Sequence, residues 1–216
     1  RLVPTRVPEL RGIVAVDGGQ WFSVALNMVD GVLYTWGLNG NGQLGVGDRD
    51  ERWVPTGVGT LSHVVDVAAG NAHTLAVTSD GAIFSWGGGW YGKLGHGDRL
   101  DRMVPKQIEH EEGDEEPGIN EQVVRVSAGA QRSMAVSVEG HLYVWGKSTK
   151  GGGFAALVDL GEKDAVEGCV LGVRRALLSM RDGTVMSFGD WSNRQGPGTN
   201  QYEPVEATPL AGLSYK

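Results

Sequence analysis

A repeat of about fifty residues constrains the fold of this chain more than any other feature of its sequence. The stretch from Leu33 to Leu61 reads LYTWGLNGNGQLGVGDRDERWVPTGVGTL, and a second copy begins at Ile83 as IFSWGGGWYGKLGHGDRLDRMVPKQI. Aligning the copies places Trp36 on Trp86 and keeps the Leu-Gly, Gly-Asp-Arg and Val-Pro steps in register. Repeats of this length are the signature of solenoids and propellers, in which each copy forms one supersecondary unit.

Four short runs recur in each repeat, and each has the composition of a β-strand. They are an apolar run that ends in glycine (strand A), a run that ends in a turn such as Asp-Gly (strand B), an aromatic-glycine run (strand C) and a Pro-led run (strand D). Runs rich in Val, Leu and aromatic residues between Gly, Asp, Asn and Pro are typical of strands. Copies of strand D begin at Pro4, Pro55, Pro105, Phe154 and Pro204.

The turns and the positions of the apolar residues predict where each strand lies. The Asp-Gly and Glu-Gly steps predict tight hairpins between strands B and C. Strand A is too continuously apolar for a strand with one face in water, so we expect it to be fully buried. The Pro-led strand D is predicted at the outer edge, where a missing N–H costs no ladder hydrogen bond.

A four-stranded antiparallel sheet repeated about a centre is a propeller blade, whereas a two-sheet sandwich does not repeat its sequence. The sequence therefore predicts an all-β fold, a β-propeller of four-stranded antiparallel blades with about four blades present. We expect a single propeller domain over 1–216, with repeats at about 11–61, 62–108, 122–160 and 165–210, a leading outer strand at 4–10 and an acidic insertion at 109–121.

Three motifs carry a resemblance to a known family. They are W-G-x-N-x-x-G-Q-L-G-x-G-D at 36–48, P-x-x-V at 55–58 and V-A-A-G-x-x-H at 67–73. Together they resemble the repeat of the Regulator of Chromosome Condensation family, with Lys93 at the usual Gln in the second copy. The resemblance implies a β-propeller, usually of seven blades. Seven repeats would need about 350 residues, so we expect this chain to be part of a longer ring.

The negative charge of the chain is concentrated in one connection between strands D and A. The formal net charge is −7, and residues 109–121 read EHEEGDEEPGINE, with seven acidic residues and no Lys or Arg. The rest of the chain is therefore neutral, which does not favour a nucleic-acid partner. The segment is predicted to be a solvated flexible loop or, alternatively, a docking strip for a basic partner. Its candidate partner-binding residues are Glu111, Glu112, Asp114, Glu115 and Glu116.

Two C–D loops also depart from the repeat. The third copy has KSTKGGG at 147–153 in place of the Gly-Gln-Leu-Gly loop, and the fourth keeps a Gly-rich loop with two aromatic residues. Alternating strand direction places A–B turns and C–D loops on one face, opposite the B–C turns and the acidic connection. The candidate partner-binding residues on this loop face are Lys147, Lys150, Trp191 and Tyr202. The two aromatic residues could equally be lids over the blade below.

No motif in the sequence predicts catalysis, a metal site or a cofactor. The five histidines lack metal-ligand spacing, and the Gly-rich loops lack the lysine of a phosphate cradle. We expect His73 to make a structural hydrogen bond. Asp48 and Asp98, beside Arg49 and Arg99, are expected to staple their loops through hydrogen bonds and local ion pairs.

The sequence therefore predicts a non-enzymatic scaffold whose loop faces bind a protein partner. The family resemblance implies an alternative, a guanine-nucleotide exchange factor for a Ran-type small GTPase, in which a wedge-like C–D loop does the work. The 147–153 loop is at the comparable place but is shorter and lacks a bulky apolar tip. A chromatin-associated binding module is a second alternative. No apolar run reaches the roughly 18 residues of a membrane helix, so we expect no membrane insertion and a cytoplasmic or nuclear location.

Overall fold

A computed structural model describes most of the chain. The described residues are 3–8, 10–27, 29, 31–109, 118–147, 153–158, 160, 165–173, 175–189 and 201–206, with the backbone alone for 188, 189 and 201–206. They form four antiparallel sheets of four strands each. Among these residues, no helix has the length and apolar character that crossing a bilayer requires.

The first sheet contains β1 (Ile13–Gly18), β2 (Phe22–Asn27), β3 (Leu33–Gly37) and β4 (Arg52–Gly57). The second contains β5 (Val64–Ala69), β6 (His73–Thr78), β7 (Ile83–Gly87) and β8 (Arg102–Gln107). The third contains β9 (Val123–Ala128), β10 (Arg132–Ser137), β11 (Leu142–Gly146) and β12 (Ala156–Leu157). The fourth contains β13 (Val166–Leu171), β14 (Arg175–Met180), β15 (Val185–Gly189) and β16 (Gln201–Glu206).

Each sheet keeps the order A-B-C-D across its width, and the Pro-led strand is the outer edge in every case. Pro55, Pro105 and Pro204 lie in these edge strands. Among the described residues, each of these strands pairs with the aromatic-glycine strand and with no strand on its other side. The edge position of strand D is therefore confirmed. The third edge strand has no proline and is reduced to two residues, Ala156–Leu157.

The expected leading strand at 4–10 does not form a strand in the structure. Residues 3–8 and 10 contain no strand, and Val3 and Val7 are exposed. Every other strand D pairs with the aromatic-glycine strand that precedes it in the chain.

Glycines at the end of strand A bring neighbouring sheets close together. A Cβ on Gly19 would lie 2.6 Å from the carbonyl oxygen of Gly70, and one on Gly70 would lie 2.5 Å from that of Gly129. The same relation joins Gly129 to Gly172, again at 2.5 Å. Because any side chain would collide with the next backbone, these repeated glycines set how closely the inner strands approach.

The C–D loop of one sheet packs on the recurring tryptophan position of the next. The backbone carbonyl oxygen of Gln43 accepts hydrogen bonds from Thr74 Oγ1 at 2.8 Å and from Trp86 Nε1 at 3.0 Å. A Cβ on Gly45 would lie 2.6 Å from the same indole nitrogen. The loop motif and the tryptophan of the repeat therefore join one sheet to its neighbour.

The second and third sheets repeat this contact and add a histidine. The carbonyl oxygen of Lys93 accepts from Ser133 Oγ at 2.7 Å and from Trp145 Nε1 at 2.9 Å. His73 Nε2 lies 2.9 Å from Ser133 Oγ, and it donates, because the serine hydroxyl already donates to Lys93. Burial, with a smaller effect of the Lys93 charge, lowers the pKa of His73 to about 3. The expected structural hydrogen bond of His73 is confirmed.

Strand A is not fully buried in the structure. Val16 of β1, Val65 of β5 and Val170 of β13 are 72%, 51% and 66% exposed. The prediction of a fully buried strand A is therefore wrong. Strand B is buried more deeply, since all six residues of β6 are buried, although β14 alternates and its Leu177 is half-exposed. In the described part of the chain, the fourth sheet is covered only on the face that packs against the third.

The C-terminal end of the acidic insertion lies on the face that carries the B–C turns. Val123, which begins β9, donates its N–H to the carbonyl oxygen of Gly81 in a B–C turn at 3.0 Å. Gly81 has a φ of 83°, a left-handed conformation that suits glycine in a tight turn. The insertion connects β8 to β9, so its C-terminal end lies on this face, while residues 110–117 lie outside the described residues.

Candidate binding cleft on the loop face

A cleft of about 610 Å³ lies on the face formed by the A–B turns and C–D loops. The A–B turns of the first three sheets line it at 20–21, 71–72 and 130–131. The C–D loops of the first two sheets line it within 38–51 and at 90–91. Because the close approach of the A strands brings these turns together, the cleft is formed by residues far apart in the sequence.

Three aromatic side chains of the cleft are exposed. The exposed fractions are 65% for Trp21, 47% for Trp90 and 43% for Tyr91. Trp21 occupies the first A–B turn, and the other two begin a short 3-10 turn in the second C–D loop. Large aromatic side chains of this kind are frequent anchors in protein interfaces.

The turn that carries Trp90 and Tyr91 is held in an unusual conformation. Tyr91 has a φ of 64°, a left-handed backbone that costs a residue with a side chain about 1–2 kcal/mol. The N–H of Gly89 donates to Asp101 Oδ1 at 3.0 Å, which fixes the start of the turn. Backbone strain of this kind is often retained at functional sites.

Two lysines pack against these aromatic rings. Lys93 is almost completely buried, and its Nζ lies 4.2 Å from the centre of the Trp90 ring. Burial lowers the pKa of Lys93 to about 8, although the nearby Asp101 carboxylate acts in the opposite direction. Lys147 Nζ lies 5.1 Å from the centre of the Tyr91 ring. Each of the two rings therefore makes a cation–π contact with a lysine.

The expected ion pairs of the C–D loops form, but with different partners. Asp48 pairs with Arg52 rather than Arg49, and Asp98 pairs with Arg102 rather than Arg99, because the carboxylates face residues four positions on. A backbone hydrogen bond from Asp50 and the pair with Arg52 keep the pKa of Asp48 below its usual value. The expected loop-stapling role is confirmed for both aspartates.

Arg49 instead joins two loops across the sheet boundary. It donates to the carbonyl oxygen of Gly40 at 2.6 Å and to Asp101 Oδ2 of the second sheet at 3.2 Å. The carboxylate of Glu51, the other charged group of the cleft lining, makes no hydrogen bond or ion pair with the described residues. Among the described residues, the cleft lining therefore has one paired cation, Arg49, and one unpaired anion, Glu51.

The residues predicted from sequence as partner-binding are mostly outside the described part of the chain. Lys147 lies beside the cleft through its contact with Tyr91. Glu111, Glu112, Asp114, Glu115, Glu116, Lys150 and Trp191 fall outside the described residues, and Tyr202 lies in β16 with only its backbone described. The part that the structure describes holds no group of three or more His, Cys, Asp or Glu able to bind a metal ion.

Sequence reasoning missed the three aromatic residues of the cleft. A signal was present for two of them, since Trp90 and Tyr91 occupy the positions of Gly40 and Asn41 in the first copy. Gly and Asn serve the backbone of a turn, whereas two exposed aromatic rings do not. Trp21 carries no such signal, because the A–B turns vary from copy to copy.

Comparisons with known proteins agree with this architecture. The family described as Regulator of chromosome condensation (RCC1) repeat matches residues 30–77 and 80–136, and a second description of the same repeat matches 64–92. Among relatives, the E3 ubiquitin-protein ligase HERC2 of Mus musculus is 33% identical over 217 residues, covering 94% of this chain and 4% of HERC2. The ultraviolet-B receptor UVR8 of Arabidopsis thaliana is 38% identical over 157 residues, covering 70% of this chain and 33% of UVR8.

Solved structures show the same fold at lower identity. Human WBSCR16 superposes with a TM-score of 0.80 at 24% identity, covering 94% of this chain and 55% of that chain. Prp20p of Saccharomyces cerevisiae gives 0.71 at 21% identity, covering 86% and 48%. The chain spans only part of the length of each of these relatives. The β-propeller prediction is confirmed, and the chain is an RCC1-like repeat protein that belongs to the Regulator of chromosome condensation repeat family.

Proposed function

We propose that this chain is a non-enzymatic protein-interaction module that holds a protein partner on its loop face. The observation that carries the proposal is the cleft with the exposed side chains of Trp21, Trp90 and Tyr91. Aromatic anchors that project from a rigid scaffold into a cleft are the usual centre of a protein interface.

The electrostatics of the cleft also support binding over acid–base chemistry. Arg49 and Asp101 are paired with each other, and the Lys93 ammonium is covered by Trp90. His73 is completely buried and donates to Ser133. These titratable groups hold loops and sheets together, which leaves the aromatic rings, the amide side chains and the Glu51 carboxylate as the accessible groups of the cleft.

The proposal is tested by comparing the partners of three versions of the intact protein. Proximity labelling in cells should recover a set of proteins with the wild type that the double variant Trp21→Ala/Trp90→Ala loses. Trp53→Ala is the matched control, because Trp53 is 80% exposed but lies on the outer strand, away from the cleft lining. If the double variant keeps the partner set of the control, the loop-face cleft is not the binding surface.

Prp20p, a structural relative described by its binding to Gsp1p and histones, favours a second candidate function. That candidate is nucleotide exchange on a Ran-type small GTPase, or a chromatin-associated role. Similarity of fold alone does not transfer function, and the neutral charge outside 109–121 does not favour chromatin. Release of a fluorescent guanine nucleotide from the GTPase, measured with and without the protein, decides whether exchange occurs.

The proposed location of such a module is the cytoplasm or the nucleus. Imaging of the intact protein with a fluorescent tag checks it, and signal confined to another compartment would reject the proposal.

A further inference from the structure

The cleft carries unpaired amide side chains in addition to its aromatic rings. Gln20 and Asn71 occupy equivalent positions in the first and second A–B turns, Gln131 lies in the third, and Asn41 lies in the first C–D loop. None of the four amide groups makes a hydrogen bond with the described residues, whereas Gln43 accepts from the N–H of Asn41. A primary amide both donates and accepts, so these groups match the N–H and C=O of a peptide backbone.

The combination of free amides and aromatic rings indicates an extended backbone. A polyproline II segment makes no internal hydrogen bonds, so its carbonyl oxygens are free to accept from side-chain donors. Its proline rings pack against flat aromatic faces, and little conformational entropy is lost because the segment is already extended. Trp21, Trp90 and Tyr91 supply these faces, and the amides of separate A–B turns supply donors across neighbouring sheets.

The charge of the cleft specifies one further feature of the occupant. The guanidinium of Arg49 is held by Gly40 and Asp101, and the Lys93 ammonium is buried below Trp90, so neither is free to bind an acidic group. The third nearby cation, Lys147, lies outside the cleft lining, and its ammonium contacts the Tyr91 ring. Glu51 is exposed and unpaired among the described residues. A basic side chain in the ligand would complement this carboxylate.

We propose that the cleft binds an extended, proline-containing peptide segment that carries a basic residue, an inference that rests on the proposed protein-interaction function. The proline rings lie on the exposed aromatic side chains, the peptide carbonyl oxygens accept from the cleft amides, and the basic residue pairs with Glu51.

The test uses the intact protein and a defined array of 12-residue peptides. Each peptide has a Pro-x-x-Pro core, and the two x positions are varied over all amino acids across the array. The core is followed by Arg, Glu or Ser. We expect Arg-ended members to bind more tightly than Glu-ended ones. Trp21→Ala and Trp90→Ala should each weaken binding at least about tenfold, while Trp53→Ala leaves it unchanged. Glu51→Gln should weaken the binding of Arg-ended peptides severalfold and leave the binding of Ser-ended peptides unchanged.

Circular dichroism and thermal melting establish that each variant is folded, so that a loss of binding reports on the cleft. Absence of binding by any array member, or equal binding of Glu-ended and Arg-ended members, overturns the inference. Binding of chitohexaose or cellohexaose that depends on Trp21 and Trp90 also overturns it, because the cleft would then recognise a glycan. If no peptide binds but partner labelling still requires both tryptophans, only this inference fails. If labelling is also insensitive to them, the proposed function fails.

Discussion

The indole Nε1 of Trp86 donates a 3.0 Å hydrogen bond to the backbone carbonyl oxygen of Gln43, which lies in the C–D loop of the preceding sheet. The two most recognisable parts of the repeat, its Trp-Gly strand and its Gly-Gln-Leu-Gly loop, therefore contact each other between repeats. Each repeat completes the core of its neighbour, as is usual in repeat architectures. The residues that identify the repeat are accordingly structural, and the cleft is formed by other residues.

Replacing Trp86 with Phe tests the contribution of this contact. The variant keeps most of the buried apolar surface but loses the donor to Gln43, whose carbonyl oxygen retains only Thr74. We expect the free energy of unfolding to fall by about 1 kcal/mol from the lost hydrogen bond, plus a packing cost. Urea denaturation measures this change in the free energy of unfolding, with Trp53→Phe as the control at an exposed position. An equal effect of both substitutions would contradict the structural role of the contact.

Two adjacent glycines provide a matched test of the close approach of the A strands. A Cβ on Gly19 would lie 2.0 Å from the Phe22 ring and 2.6 Å from the carbonyl oxygen of Gly70, whereas one on Gly18 has no atom within 4 Å. Gly19→Ala should therefore lower stability by about 3 kcal/mol or prevent folding. Gly18→Ala should be neutral or slightly stabilising. Thermal melting of the two variants compares them directly, and similar melting temperatures would show that the sheets can separate to admit a methyl group.

The sequence could predict features that are determined by local chemistry. Strand composition, glycine turns and the edge position of Pro55 and Pro105 follow from properties of individual residues and from a fixed repeat. The cleft could not be predicted in this way, because Trp21 and Trp90 become neighbours only when loops of different sheets meet. The exposed Val16 of strand A was also mispredicted, since burial of a strand depends on whether a sheet covers each of its faces.

Tyr91 is expected to lower the stability of the protein while its exposed ring contributes to partner binding in the cleft. Its φ of 64° disfavours a residue with a side chain, so Tyr91→Gly should remove about 1 kcal/mol of backbone strain. The same change removes an exposed ring and its contact with Lys147, so partner labelling should decrease. A rise in melting temperature together with weaker labelling supports this trade-off. A fall in both the melting temperature and the labelling would show that the Tyr91 ring mainly contributes packing.

The buried His96 should make the protein less stable in mild acid. Burial, with smaller contributions from Lys106 and Arg102, lowers the pKa of His96 to about 4 from an unfolded value of 6.5. The unfolded chain therefore binds more protons between pH 6.5 and 4, and the free energy of unfolding falls as the pH is lowered through this window. His96→Gln should reduce the slope, as measured by urea denaturation from pH 7 to 4. An unchanged slope would assign the acid sensitivity to other groups, such as His73.

Lys93 should make the free energy of unfolding depend on pH in the alkaline range. Burial lowers its folded-state pKa to about 8 from 10.5, so the unfolded chain binds more protons between these values and stability should rise as the pH increases from 8 to 10.5. Lys93→Gln, which introduces the residue found at Gln43 in the first copy, should abolish this rise because it removes the buried ammonium. It should also free Trp90 from its cation–π contact, which tryptophan fluorescence can follow. A variant that keeps the alkaline increase in stability would show that the Lys93 ammonium is not the group responsible.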